Sequence, residues 1–343
     1  MFLQFIGQNP SGKNLERIRK SPNYKKDGFE NLTDTPMMVK GTSYFDLLKK
    51  VVNKPVDSKP SSVLPSVKTD LKNIISDKPY IVWFGHSSYF IRIDSKIFLV
   101  DPVFSGHASP VSFMVKSFNG SDVYTTEDLP EIDYLILTHD HYDHLDYKTI
   151  MKLKTKAKSV VCSLGVSSHL IYWGFDENLI TEMDWWQTNK LTENINLTAT
   201  AARHFSGRGF VRNKTLWSSF ILKTQSYNLF LGGDSGFDFH FKEIGDKSGP
   251  FDLAILECGQ YNSAWPFIHM MPEQTVQAAI DLQAKILLPV HWGKFSLALH
   301  PWKEPIERAL SAATLQNLKV TTPMIGEPVI VGESYPDKQW WNS

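Results

Sequence analysis

The run His139-Asp140-His141-Tyr142-Asp143-His144 gathers three imidazoles and a carboxylate, His139, His141, Asp143 and His144, within six residues. Residues at i and i+2 of an extended loop can turn toward one cation, and the Asp-His pair beyond them toward a second. Imidazole nitrogen and carboxylate oxygen suit Zn²⁺ and comparable borderline metals. Packing alone has little use for such a cluster directly after an apolar strand, Asp133-Tyr134-Leu135-Ile136-Leu137-Thr138.

Metal sites in α/β proteins are assembled from loops at one edge of the sheets, so further ligands should also follow strands. Three positions meet that condition. Ile195–Ala201 reads as a strand leading to His204, Tyr227–Leu231 leads through Gly232-Gly233 to Asp234, and Ile286–Val290 leads to His291. Seven ligands fit two metals sharing one carboxylate. We assign His139, His141 and His204 to the first and Asp143, His144 and His291 to the second, with Asp234 bridging. Two cations ~3.5–4 Å apart can hold a hydroxide between them and lower the pKa of its parent water toward ~7, with no Ser or Cys nucleophile required. Gly232 and Gly233 would let the backbone approach the metals closely. The competing role for Asp234 is an N-cap for a helix over Phe237–Ile244.

The elements that must position these residues follow from patterning. Tyr80–Phe84 reads as a buried strand, and Tyr89–Ile93 and Lys96–Val100 as a hairpin across Asp94-Ser95. Asp146 can cap a helix through Met151 and Leu153, and Pro272-Glu273-Gln274 opens another. Alternating strand and helix patterns argue for α/β layers in one catalytic unit, residues 79–343. Residues 1–78 read as an arm and linker packed on that unit, with a polar, basic segment over 11–50 and a Pro/Ser/Lys stretch over 54–62.

Composition bounds the function. Lys plus Arg equals Asp plus Glu at 36 each, so no global field draws nucleic acid or an anionic membrane, and no nucleic-acid partner is expected. With Cys162 and Cys258 as the only cysteines, a disulfide framework and a Cys₄ zinc site are both excluded, and both thiols read as buried apolar residues. No apolar run reaches the ~20 residues of a bilayer span, and Met1–Gly7 is too short for a secretory leader. The expected location is therefore cytoplasmic or peripheral at a membrane. Among the remaining groups, Asp101 reads as an acceptor fixing a ligating imidazole or as a turn residue before Pro102. His86 reads as structural, and His169 and His240 as helix residues. Trp185, Trp186, Trp265 and Phe267 read as core or as the flank of an apolar cleft.

The blocks Gly85-His86-Ser87-Ser88, Asp101-Pro102-Val103-Phe104-Ser105, the 138–146 run, Asp184-Trp185-Trp186, Gly233-Asp234-Ser235-Gly236 and His291-Trp292-Gly293 resemble the metallo-β-lactamase superfamily. Within it they are similar to the subgroup that holds the N-acyl-phosphatidylethanolamine-hydrolysing phospholipase D enzymes, in family order over about residues 79–305. The resemblance implies a four-layer αββα sandwich with two zinc ions at one edge and the seven ligands named above. It places Tyr142 beside the metals and His269 facing a small-molecule or lipid phosphodiester substrate, with Asp143 among the catalytic groups. The segment Gln260–Pro266 departs from the phospholipase pattern, and Lys294 stands where the family has Thr, in loops expected to line the cleft. The expected activity is a dinuclear zinc phosphodiesterase using a metal-bridging hydroxide. A lactone or ester hydrolase, a metal-dependent nuclease and a non-catalytic metal- or lipid-binding protein stay open as alternatives.

Overall fold

The computed structural model describes residues 2–43 and 54–342; part of the polar N-terminal segment, residues 44–53, lies outside the described residues. Two seven-stranded sheets dominate. The first runs edge to edge as Pro328–Ile330, Tyr80–Trp83, Tyr89–Ile93, Lys96–Val100, Tyr134–Leu137, Val160–Ser163 and Ile180–Met183. The second runs as Lys319–Val320, Ile286–Val290, Leu253–Glu257, Asn228–Leu231, Ser219–Lys223, Asn196–Thr200 and Thr188–Lys190. Each sheet is antiparallel in one part and parallel in the other.

Side-chain alternation along the strands dictates the layering, because successive residues point to opposite faces. Ile81 and Trp83, Ile91, Phe98, Val100 and Ile136 turn inward and meet Leu197, Phe220, Leu222, Leu229, Ile255 and Leu288 of the second sheet. Their neighbours Val82, Phe90, Leu99 and Leu135 turn outward onto the helices Tyr147–Leu153 and Ser167–Tyr172. On the other side Phe230, Ala254 and Leu287 pack against the helices His240–Ser248, Pro272–Asp281 and Glu304–Leu315. Strands buried on both faces need the near-continuous apolar runs read in the sequence. The result is the αββα sandwich.

Local chemistry accounts for the junctions. Asp94 and Ser95 both take positive φ, 48° and 59°, as a two-residue hairpin turn requires. The Asp146 carboxylate accepts from the Lys148 N–H at 3.2 Å and caps its helix. Pro272 occupies the first turn of its helix, where a missing N–H costs nothing. One expectation moves: the helix after Asp234 begins only at His240, with Phe239 at its cap, so Asp234 is free of that duty.

The N-terminal segment packs against the sandwich. Ile18, Tyr24 and Phe29 join Leu164, Trp185, Leu216 and Trp217 in one apolar cluster. The Arg208 guanidinium donates to the Phe5 carbonyl at 2.7 Å, and Trp173 Nε1 donates to the Gln4 carbonyl at 2.8 Å. No helix among the described residues is long and apolar enough to cross a membrane.

Candidate metal centre

All seven candidate ligands converge at the C-terminal edge of the two sheets. His139 Nε2 and His204 Nε2 lie 2.9 and 3.2 Å from His141 Nδ1, so three nitrogens point at one space. Asp234 closes this set, its Oδ2 3.9 Å from His139 Nε2 and 3.7 Å from His204 Nε2. On the other side of Asp234, its Oδ1 is 3.1 Å from both His144 Nε2 and His291 Nδ1, and Asp143 Oδ2 is 3.7 Å from His144 Nε2. The ligand atoms thus form two compact groups, His139-His141-His204-Asp234 and His86-Asp143-His144-His291, with Asp234 between them. The second group contains His86, against the structural role expected of it from sequence; its Nε2 lies 2.9 Å from Asp143 Oδ2, a contact that fixes the carboxylate.

Behind the converging atoms, the rings of His139, His144 and His204 are held from their far side. Asp101 Oδ2 faces His144 Nδ1 at 2.7 Å and also accepts from the Thr138 hydroxyl, while Oδ1 accepts from the Thr138 N–H at 2.9 Å. The Thr138 hydroxyl is in turn 3.0 Å from His139 Nδ1. Ser87 Oγ, by contrast, sits 2.8 Å from His291 Nδ1, the same nitrogen that faces Asp234, while His204 Nδ1 donates to the Ile268 carbonyl at 2.7 Å. Such outer partners set the tautomer and leave the other nitrogen available to a metal. Asp101 therefore has the acceptor role rather than only the turn role.

The donor set fits a cation. His144 Nε2, His291 Nε2, His86 Nδ1 and Asp234 Oδ1 are buried without a hydrogen-bond partner. Unsatisfied buried polar atoms are costly and gather where something else satisfies them. Burial drives His139, His204 and His291 well below the ordinary imidazole pKa, keeping them neutral as ligands must be. His144 goes the other way. Burial lowers its pKa, but Asp234, Asp143 and Asp101 outweigh that and hold a proton on it. Three buried carboxylates around one ring are an excess of negative charge that a divalent cation would neutralise.

Chain geometry around the site is tight. A Cβ on Gly259 would stand 2.2 Å from the His291 carbonyl, so only glycine lets the chain after the strand Leu253–Glu257 pass this candidate ligand, and His291 itself holds φ at 68°. Gly232 and Gly233 serve a different approach from the expected one. Cβ atoms there would meet the Ile255 and Ser218 carbonyls at 2.5 and 2.9 Å, so they seat neighbouring strands.

The cleft over the ligands, about 200 Å³, is lined by His141, Asp143, His204, Asp234 and His291 together with Phe205, Gln260, Trp265, Ile268, His269 and Leu297. His269 lines this cleft beside the candidate ligands. Tyr142 is not among the lining residues: its hydroxyl donates to the Arg208 carbonyl at 2.5 Å and its ring carries the Arg208 guanidinium at 4.2 Å. Of the departures from the family pattern, Gln260 and Trp265 reach the cleft. Lys294 does not; it is buried and donates to the Val103 carbonyl and to Asp122, both at 3.0 Å. Trp185 is buried in the N-terminal apolar cluster, Phe267 packs under Arg203, and Trp186 is partly exposed beside Lys247.

Several supporting residues escaped the sequence reading. The Asn31 side chain brackets His204, accepting from its N–H at 3.0 Å and donating to its carbonyl at 2.8 Å. Asp140 is buried and contacts His169 Nε2 at 3.1 Å and the Gly207 N–H at 2.7 Å, tying the signature loop to the helix Ser167–Tyr172. Glu257 is buried 3.1 Å from His269 Nδ1. Burial pushes the Glu257 carboxyl upward, and that carboxylate overcomes burial to raise His269, so the pair holds a proton between them. A lone carboxylate ending the apolar strand Leu253–Glu257 was the available signal.

The model of a beta-lactamase superfamily domain matches residues 96–292. An uncharacterised protein of Mycobacterium tuberculosis is 36% identical over 94% of this chain and 88% of its own length. N-acyl-phosphatidylethanolamine-hydrolyzing phospholipase D 1 of Caenorhabditis elegans is 32% identical over 64% of this chain and 65% of that protein. Among solved structures, Igni18, a metallo hydrolase of Ignicoccus hospitalis, superimposes with a TM-score of 0.57 at 19% identity, covering 74% of this chain and 97% of that one. The chain belongs to the metallo-β-lactamase superfamily. It is a metal-dependent hydrolase of that superfamily and resembles its N-acyl-phosphatidylethanolamine phospholipase D members.

Proposed function

We propose that this protein is a dinuclear zinc phosphodiesterase of the N-acyl-phosphatidylethanolamine phospholipase D type. The observation that carries the reading is the convergence of seven side chains into two groups joined through Asp234. His139, His141 and His204 would hold one ion and Asp143, His144 and His291 the other, with Asp234 shared. When bound, the ions supply an acidified water as nucleophile and positive charge against the phosphoryl oxygens. The residues of the chain do the rest. Asp101, Thr138, Ser87 and the Ile268 carbonyl hold the rings in register, His86 orients Asp143, and His269 faces the substrate. Phe205, Trp265, Ile268 and Leu297 give the cleft an apolar wall suited to the first carbons of a lipid. Tyr142 acts from behind, bracing Arg208, which donates to the Asp140 and Leu145 carbonyls at 2.8 and 2.7 Å.

The size of the cleft also favours a second reading. About 200 Å³ admits a phosphodiester headgroup but not two acyl chains, and a small lactone or ester would fit it as well. Zinc-loaded protein should hydrolyse N-acyl-phosphatidylethanolamine in mixed micelles, lose that turnover on chelation and regain it with zinc. Turnover of lactones with none of diacyl or lyso phosphodiester lipids would replace the first reading by the second.

A further inference from the structure

We propose that Glu257 is a positioning residue that aims His269 at the substrate, an inference that rests on the phosphodiesterase reading for the identity of that substrate. Glu257 ends its strand with its carboxylate 1% exposed. A buried carboxylate costs several kcal/mol unless paired and hydrogen-bonded, so its partners state its purpose. Oε1 accepts from the Met270 N–H at 2.9 Å, and Oε2 faces His269 Nδ1 at 3.1 Å. The Glu257 carbonyl accepts from the Thr275 hydroxyl at 2.8 Å, anchoring the strand end to the helix that follows His269. The carboxylate thus grips both the backbone just after His269 and the ring itself.

The two nitrogens of an imidazole lie on opposite sides of the ring. With Nδ1 engaged by a carboxylate behind it, Nε2 of His269 is turned toward the cleft that the residue lines. The ring is wedged between His204 and His291, with centroids at 5.0 and 5.2 Å, which blocks rotation to either side. A group pinned on three sides meets the requirement that a substrate-contacting residue be held to within a fraction of an ångström. Glu257 also lies within one ligand-sized group with Asp234, His269 and His291, so metal binding is the competing role for the pair.

The test uses the full chain loaded with zinc, as wild type, Glu257→Ala, Glu257→Gln, His269→Ala and the Glu257→Ala/His269→Ala double variant. Four quantities are measured: bound zinc, the ¹⁵N tautomer signature of His269, and kcat and KM on bis(4-nitrophenyl) phosphate. Glu257→Ala and His269→Ala should each lower kcat at least tenfold with KM within threefold. The double variant should be no worse than His269→Ala. Zinc content should not change, and Glu257→Gln, which keeps one acceptor for Nδ1–H, should recover part of the loss. The His269 signature should show Nδ1–H in wild type and lose it in Glu257→Ala. Multiplying losses, loss of zinc in Glu257→Ala, or an unaltered His269 signature would each overturn the proposal. Failure of wild type to hydrolyse any phosphodiester would instead refute the parent reading, and the tautomer signature would still decide the role of Glu257.

Discussion

Substituting Asp101→Asn removes one charge from a buried, fully engaged carboxylate while keeping its shape, and Asn tolerates the positive φ of 42° found there. In the native site Oδ1 accepts from the Thr138 N–H, and Oδ2 takes both the Thr138 hydroxyl and His144 Nδ1–H. Asn can keep its oxygen toward the Thr138 N–H only by placing its NH₂ against His144 Nδ1. The hydroxyl can rotate to accept, but the imidazole must exchange its proton to Nε2, the nitrogen aimed at Asp234 and the second metal position. A protonated Nε2 cannot ligate. Loss of such an outer partner costs ~10–100-fold in metal affinity, which is about 1.4–2.8 kcal/mol at 1.4 kcal/mol per tenfold. Competition with a zinc chelator measures the affinity, and thermal unfolding of the metal-free protein checks that the fold survives. Affinity within threefold of wild type, in a folded variant, would refute the claim that Asp101 sets the His144 tautomer.

Three further substitutions probe the same geometry. Gly259→Ala puts a methyl 2.2 Å from the His291 carbonyl, so it should displace that ligand, cost about 1–3 kcal/mol of stability and weaken zinc binding at least tenfold in the chelator assay. Lys294→Met leaves the Val103 carbonyl and Asp122 without their donor, and denaturant unfolding should record a loss of about 2–4 kcal/mol. Because Lys294 stays out of the cleft, kcat of the folded Lys294→Met fraction should change by less than about twofold, a range that falls within RT. Trp292, stacked on Trp83 and Trp340 at 5.5 and 5.3 Å, should cost about 3–5 kcal/mol when cut to Ala, read by the same unfolding assay.

Much of the candidate site was legible because its candidate ligands sit where strands end. The run 139–144 follows Tyr134–Leu137, Asp234 follows Asn228–Leu231, and His291 follows Ile286–Val290, so an apolar run plus its next polar residue located each one. The sandwich was legible through the same runs and the resemblance. What the chain hid are contacts between distant segments. His86 meets Asp143 across 57 residues, and Asn31 meets His204 across 173. Neither has a local pattern, because one hydrogen-bonding side chain leaves no periodicity. Tyr142 shows the converse. Its place inside the signature suggested the metals, but the backbone turns its hydroxyl toward Arg208. Lys294 likewise looked like a cleft residue from its position after His291-Trp292-Gly293, while its four-carbon stem reaches across the core to carbonyls of the first sheet's loops.

In the proposed site seven side chains hold two metal ions through a shared Asp234. Counting transition metal per chain in active, dialysed protein, alongside Asp234→Ala, tests it most directly. Wild type should hold about two ions per chain, and the variant should lose at least one of them together with turnover. One ion or fewer per fully active chain would contradict it.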